Sequence, residues 1–298
     1  MRLSEIQIRD PYLVRDPASG DWLLFGSTDP NIWEGPGIGF DTYRSADLQE
    51  WSGPHPAFRP PADFWSDGQF WAPEVHRNQE GWFMFATFTG PDGRRGTQVL
   101  NAEAPEGPYR PWSDGPVTPR VWQCLDGTLF VDDDGDPWIV FCHEWIQIGD
   151  GAVYAQRMSA DLKCATGTPV HLFDASSAAW AEPMPGGPVP AYVTDGPFLH
   201  RLADGGLVML WSSIGRQGYA MGVARSTTGR VTGPWTQEPE PLWPADGGHG
   251  MIARLDEGEL VLTLHQPNDT PNERTVLRRL IETNGTIAIA PEREDWRA

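Results

Sequence analysis

The feature that most restricts how this chain can fold is a short pattern that returns five times. Its copies begin at Asp10 (DPYLVRDPASGDWLLFG), Ala72 (APEVHRNQEGWFMFA), Asp126 (DGTLFVDDDGDPWIVF), Asp195 (DGPFLHRLADGGLVMLW) and His249 (HGMIARLDEGELVLTLH). Every copy reads as a strand, a glycine-centred turn and a second, more apolar strand, which is the signature of a β-hairpin. The starts are 62, 54, 69 and 54 residues apart. A hairpin delivered at such intervals predicts an all-β fold, a five-bladed β-propeller with four-stranded antiparallel blades around a central channel.

The remainder of each repeat supplies two outer strands. These are expected within 40–54, 96–112, 153–169, 222–237 and 275–289, where a turn of small residues, often followed by Gly-Pro, recurs. Five repeats consume nearly all of the 298 residues, so a single propeller domain over 1–298 is predicted. The opening LSEIQI is expected to pair with the last blade and close the ring. Two segments stand outside the repeat, 28–39 and 174–191, and read as long loops walling a pocket.

A formal net charge of −19 argues against nucleic acid or an anionic membrane as partner, since both demand clustered Lys and Arg. No apolar run is long enough to span a bilayer, and MRLSEIQIRD lacks the regions of a secretory signal. A cytoplasmic protein is expected, or a secreted one if the chain is a trimmed mature form. Cys124, Cys142 and Cys164 show no metal spacing and are expected to be buried thiols. The 15 tryptophans suit two uses, packing between blades and offering flat faces to sugars, with packing expected for most.

In a propeller the first strand of each blade lines the channel, so the repeat starts converge. Three of the five are aspartates, Asp10, Asp126 and Asp195. Singly each reads equally well as a turn former; their recurrence at what reads as one position of three blades favours a site. Antiparallel pairing brings the ends of the second strands to the same mouth. That ring offers His143, Glu144, Trp145, Trp211, Ser212, His265 and Gln266. Asp132, Asp133 and Asp134 fall at a hairpin tip on the opposite mouth and read as a solvated turn, with calcium binding a lesser alternative. Carboxylates around a pocket suit glycosidic cleavage: one, protonated, donates to the leaving oxygen, another, ionised, activates water, and a third raises the acid's pKa by repulsion.

With those residues in view the chain resembles glycoside hydrolase family 43, on RDPYLV (9–14), FWAPEVH (70–76), LDGTLFVDDDGDPWIVF (125–141), TDGPFLHR (194–201) and GGHGMI (247–252). The resemblance implies Asp10 as general base and Asp126 as the residue that orients the acid and tunes its pKa. The family usually places a glutamate before Gly-Pro in the fourth blade as general acid; here Asp195 stands there, with Glu144 the alternative donor. Trp71 is similar to the family's pocket tryptophan, and His249 to a fifth-blade histidine facing an axial ion, often calcium, or a water cluster. A channel histidine without metal is the equal alternative. No cofactor is expected to be required, a structural calcium or other ion in the channel aside. Glu74, in the same motif as Trp71, is left without a role.

These features predict an inverting, exo-acting hydrolase releasing a terminal α-L-arabinofuranose from plant-type polysaccharide or oligosaccharide. The alternatives are a β-D-xylosidase or β-D-galactofuranosidase on the same scaffold, and, outside enzymes, a carbohydrate-binding propeller or pseudoenzyme.

Overall fold

Each hairpin grows outward into a four-stranded antiparallel sheet. The computed structural model describes residues 1–186, 189–256 and 258–291. Blade one comprises β1 (Arg9–Arg15), β2 (Trp22–Ser27), β3 (Phe40–Ser45) and β4 (Ser52–Phe58). Blade two comprises β5 (Gly68–Asn78), β6 (Gly81–Thr89), β7 (Arg95–Ala102) and β8 (Arg110–Pro111). Blade three comprises β9 (Cys124–Val131), β10 (Pro137–His143), β11 (Ala152–Met158) and β12 (Ala165–Asp174). Blade four comprises β13 (Asp195–Arg201), β14 (Leu207–Gly215), β15 (Gly218–Ser226) and β16 (Trp235–Gln237). Blade five comprises β17 (Gly248–Arg254), β18 (Leu260–Gln266), β19 (Arg274–Thr283) and β20 (Thr286–Ile289). Strands run in sequence order from the axis outward in every sheet. Residues 292–298 of the expected domain lie outside the described residues.

The second strands are covered on both faces by neighbouring blades, so they read as almost unbroken apolar runs rather than alternating ones. All of Trp22–Ser27 is buried. Between blades one and two the filling is aromatic: Phe70 meets Phe88 edge to face at 4.9 Å, and Phe58 meets Phe88 at 5.8 Å. Each such ring stabilises the fold by about 1.5–3 kcal/mol through burial. Trp22, Trp51, Trp82, Trp138, Trp180, Trp211 and Trp235 are likewise buried, which is the packing use expected of most indoles.

The ring closes differently from the expectation. Leu3–Glu5 is a 3-10 turn rather than a strand, and blade five takes all four of its strands from the C-terminal part of the chain. The opening segment docks instead, with Ile6 and Ile8 buried, Ile8 N–H donating to the Glu273 carbonyl at 3.3 Å and Arg274 Nε donating to the Ser4 carbonyl at 2.9 Å. The thiols also divide: Cys124 and Cys142 are buried, whereas Cys164 is exposed. At the far mouth Asp132 caps its own turn, accepting the N–H groups of Asp134 and Asp136 and the Trp138 indole N–H.

At the opposite mouth the first strand of each blade carries a bulge, where the register with the second strand slips. The bulged residue has positive φ in all five: Asp10 (53°), Ala72 (46°), Asp126 (55°), Gly196 (51°) and His249 (49°). A bulge re-aims a side chain and frees its backbone N–H from the ladder. Those N–H groups form a girdle between blades. Ala72 donates to Ser27 Oγ (2.9 Å), Asp126 to Thr87 Oγ1 (2.8 Å), His249 to Ser212 Oγ (2.9 Å) and Asp10 to His265 Nδ1 (3.2 Å). Cys142 holds the corresponding place in blade three, and there the Gly196 N–H turns to Asp126 Oδ2 at 3.0 Å. Ser212→Ala is expected to destabilise the protein by about 1–3 kcal/mol, the cost of a buried N–H left without a partner. Urea denaturation checks this, and an unchanged midpoint would remove the girdle from the account of stability.

Candidate active site

The girdle corrects the register of the repeat in blade four. Asp195 pairs with Ser212 as Arg9 pairs with Ser27, so the bulged residue there is Gly196 and Asp195 precedes it by one. A Cβ on Gly196 would sit 2.7 Å from the His249 ring, so the imidazole occupies the space where a side chain would stand. The mouth therefore has two tiers. Asp10, Asp126 and His249 come from the bulged positions on the axis; Arg9, Trp71, Leu125 and Asp195 come from the positions before them and form the rim.

The three aspartates still meet. His249 Nδ1 lies 3.2 Å from Asp10 Oδ1, 3.7 Å from Asp126 Oδ2 and 3.9 Å from Asp195 Oδ1. A ring nitrogen facing three carboxylates carries its hydrogen rather than a lone pair toward them. Around this point is a cavity of about 410 Å³. Its walls include Trp33, Trp71, Trp145, Met184 and Tyr219, drawn in part from both of the predicted long loops.

Environment drives the carboxyls apart. Burial pushes the Asp10 carboxyl up, but His249, His265 and Arg9 beside it and the Ser27 hydroxyl on its Oδ2 (2.6 Å) together outweigh burial and hold it below the ordinary value. His265 is itself pushed down to about 3 by burial and by Arg9, so at neutral pH its ring is neutral and its Nδ1 accepts the Asp10 N–H. Asp126 goes the other way: burial, then the negative charge of Asp195, raise it well above the ordinary carboxylate range. Two carboxylates this close cannot both ionise cheaply, and the Asp126–Asp195 pair retains a proton.

Glu144, where α1 (Trp145–Ile148) begins, is committed elsewhere. Burial raises its pKa, opposed by an ion pair with Arg95, whose guanidinium also binds Gln69 (2.8 Å) and lies 4.2 Å over the Trp71 ring. On the other wall Arg9 pairs with buried Glu273 at 2.8 Å and lies 5.1 Å over Trp33. Each arginine thus braces one tryptophan of the pocket.

The chain matches Glycosyl hydrolases family 43 over residues 4–287. It belongs to that family, and it is a glycoside hydrolase. A solved endo-arabinase from Bacteroides thetaiotaomicron VPI-5482 is 38% identical and superimposes with a TM-score of 0.89, over 96% of this chain and 98% of that one. A thermostable family-43 glycoside hydrolase at 22% identity shares the fold, with a TM-score of 0.80 over 98% and 95% of the two chains. A beta-D-galactofuranosidase of Aspergillus niger is 26% identical over 259 residues, 80% of this chain and 69% of that protein.

Of the residues expected at this family 43 site, Asp10, Asp126, Asp195, Glu144, Trp71, Trp145 and His249 line the cavity together. Others do not. Trp211 is fully buried, its indole N–H on Gln237 and its ring 4.8 Å from Trp180. Ser212 and His265 are also fully buried and serve the girdle. His143 is stacked on Trp122 at 4.3 Å and bonded to Gln147, and Gln266 donates to the Ala245 carbonyl. Strand-two ends do reach the mouth, but their side chains turn sideways to satisfy bulge N–H groups or to pack. Glu74 lies deeper in the channel, bonded to Thr128 (2.5 Å) and His76 (3.2 Å). Arg9, Trp33, Arg95 and Tyr219 were not singled out. Arg9 had a signal, its place beside Asp10 in RDPYLV; Tyr219 had none, since it lies near the start of a third strand.

Among the described residues Asp126, Asp195 and His249 have metal-ligand spacing, with donor atoms within 4.8 Å of one another. This set supplies only part of the shell of the calcium that the resemblance suggests, so water would have to provide most of the oxygens. Calcium takes six to eight oxygens, whereas here one donor is nitrogen, Asp126 Oδ2 already accepts the Gly196 N–H and Asp195 Oδ2 the Tyr219 hydroxyl.

Proposed function

We propose that this glycoside hydrolase is an inverting, exo-acting enzyme that releases a terminal α-L-arabinofuranose. The observation that supports it most is the opposed state of the carboxyls around His249: Asp10 held ionised, the Asp126–Asp195 pair holding a proton. In this reading Asp10 takes a proton from water as the water oxygen bonds to the anomeric carbon. Asp195, reached from the pocket at the rim, gives the pair's proton to the glycosidic oxygen, which leaves with the bonding electrons of the broken C–O bond. Asp126 shares and steadies that proton. Glu144 is set aside as donor because Arg95 holds its carboxylate. No step draws on a bound ion.

The inverting route asks for a carboxyl separation of roughly 6.5–9.5 Å, and the path through His249 Nδ1 limits the nearest Asp10 and Asp195 oxygens to about 7 Å at most, the lower end of that range. Arabinose is favoured by the 38% identical endo-arabinase, and release of a single end sugar by the walled pocket. Turnover of 4-nitrophenyl α-L-arabinofuranoside, β-D-xylopyranoside and β-D-galactofuranoside, with linear arabino-oligosaccharides beside them, tests the reading. The expected result is cleavage of the first substrate and monosaccharide release from the oligosaccharides. Shorter oligosaccharides as first products would establish internal cleavage instead, preference for the second or third substrate would reassign the sugar, and a retained anomer by NMR would reject inversion.

A further inference from the structure

Tyr219 is the second residue of β15, outside every repeated motif, yet it touches the rim acid. Its hydroxyl donates to Asp195 Oδ2 at 2.5 Å. The ring is fixed on two sides. On one it stacks on His265, centroids 5.5 Å apart and planes 18° from parallel. On the other it lies against bare backbone: a Cβ on Gly248 would fall 2.6 Å from Tyr219 Cε1. Gly248 is the blade-five counterpart of Asp195 in the rim, so that blade gives up its rim side chain to seat this ring. Its neighbour in the stack, His265, accepts the backbone N–H of Asp10. Burial and the charge of Asp195 push the phenol pKa far up, so the hydroxyl keeps its proton and remains a donor.

We infer that Tyr219 is a positioning residue for the reaction: it pins one oxygen of Asp195, a side chain one methylene shorter than glutamate, and through its stack on His265 fixes the acid relative to Asp10. The inference rests on the proposed role of Asp195 as acid. With Oδ2 held, Oδ1 is the oxygen left to face the cavity and the glycosidic oxygen. As the proton passes from Oδ1 and the C–O bond breaks toward the leaving oxygen, the phenol hydrogen bond steadies the carboxylate being formed.

A group that serves proton donation matters most when the leaving group needs a proton. Tyr219→Phe is therefore expected to lower kcat on the methyl glycoside of the accepted sugar by about 10²-fold, with KM within about twofold, and on the 2,4-dinitrophenyl glycoside by less than about threefold. Equal losses on both substrates, or none on either, overturn the inference. Asp195→Ala, run beside it, separates the two readings. If it lacks the same leaving-group dependence, Asp195 is not the acid and both readings fall; if it has the dependence and Tyr219→Phe does not, the role of Tyr219 alone falls. Thermal melts establish that each variant is folded. A second arm relies on reach: Asp195→Glu should collide with the fixed hydroxyl, and adding Tyr219→Phe should restore activity by about tenfold or more over Asp195→Glu alone. Failure of that rescue counts against the positioning role.

Discussion

Asp10→Asn is expected to reduce kcat by about 10²–10⁴-fold, the range for loss of a general base, with the protein still folded and its melt lowered by loss of the charge that His249 and Arg9 attract. Asparagine is the informative replacement for a backbone reason: Asp10 sits at φ 53°, a region that asparagine tolerates better than most residues. The amide keeps an oxygen for the Ser27 hydroxyl and leaves the N–H bond to His265 untouched. What it loses is the ability to take a proton and the charged oxygen that faces His249 Nδ1 at 3.2 Å. The same substitution should change the acid limb of the pH profile. Because His249, His265, Arg9 and Ser27 hold Asp10 below the ordinary carboxylate value against burial, wild-type activity should persist below pH 4 before the base is protonated. Turnover of Asp10→Asn within about threefold of wild type would remove Asp10 from the chemistry.

The blades were legible because each hairpin repeats the same local physics, a glycine turn between a channel-facing strand and an apolar one. Asp10 and Asp126 were legible for the same reason, since both are bulged first-strand residues. Asp195 shows where such reading stops. The Asp-Gly of blade three and the Asp-Gly of blade four look alike, yet the bulge falls on Asp126 in one and on Gly196 in the other. The difference is settled by the His249 ring, which comes from a different blade and needs the room. Trp211, Ser212 and His265 were misplaced by a related omission. Periodicity places polar residues near a pocket without saying which way they face, and bulged N–H groups in the next blade make a competing demand that it does not register. Glu144 was credible as an acid only until Arg95, 49 residues away, was seen to hold it. A strand at the opening LSEIQI follows from the need to close a propeller, but buried Ile6 and Ile8 close it by packing.

Asp126→Asn should separate stability from activity with opposite signs. Burial and Asp195 raise the Asp126 carboxyl well above its unfolded value of roughly 3.9. Between that value and the raised one the folded protein holds a proton that the unfolded chain has released, so wild-type stability falls as pH rises through this window. Asparagine has no proton to lose. Its oxygen can still accept the Gly196 N–H, and its NH₂ can donate to Asp195 as the protonated carboxyl does. At pH 4 the variant and wild type should therefore melt together, while at pH 8 the variant should melt higher, by about 2–4 °C for each kcal/mol recovered. Activity should move down, by about 10²-fold, because Asp195 no longer has a partner with which to share a titrating proton. Melting curves at the two pH values and steady-state rates at neutral pH measure both effects. A variant that melts lower than wild type at pH 8 would mean that the buried carboxyl is ionised and held by attraction to His249, and the shared proton assigned to the Asp126–Asp195 pair would have to be given up.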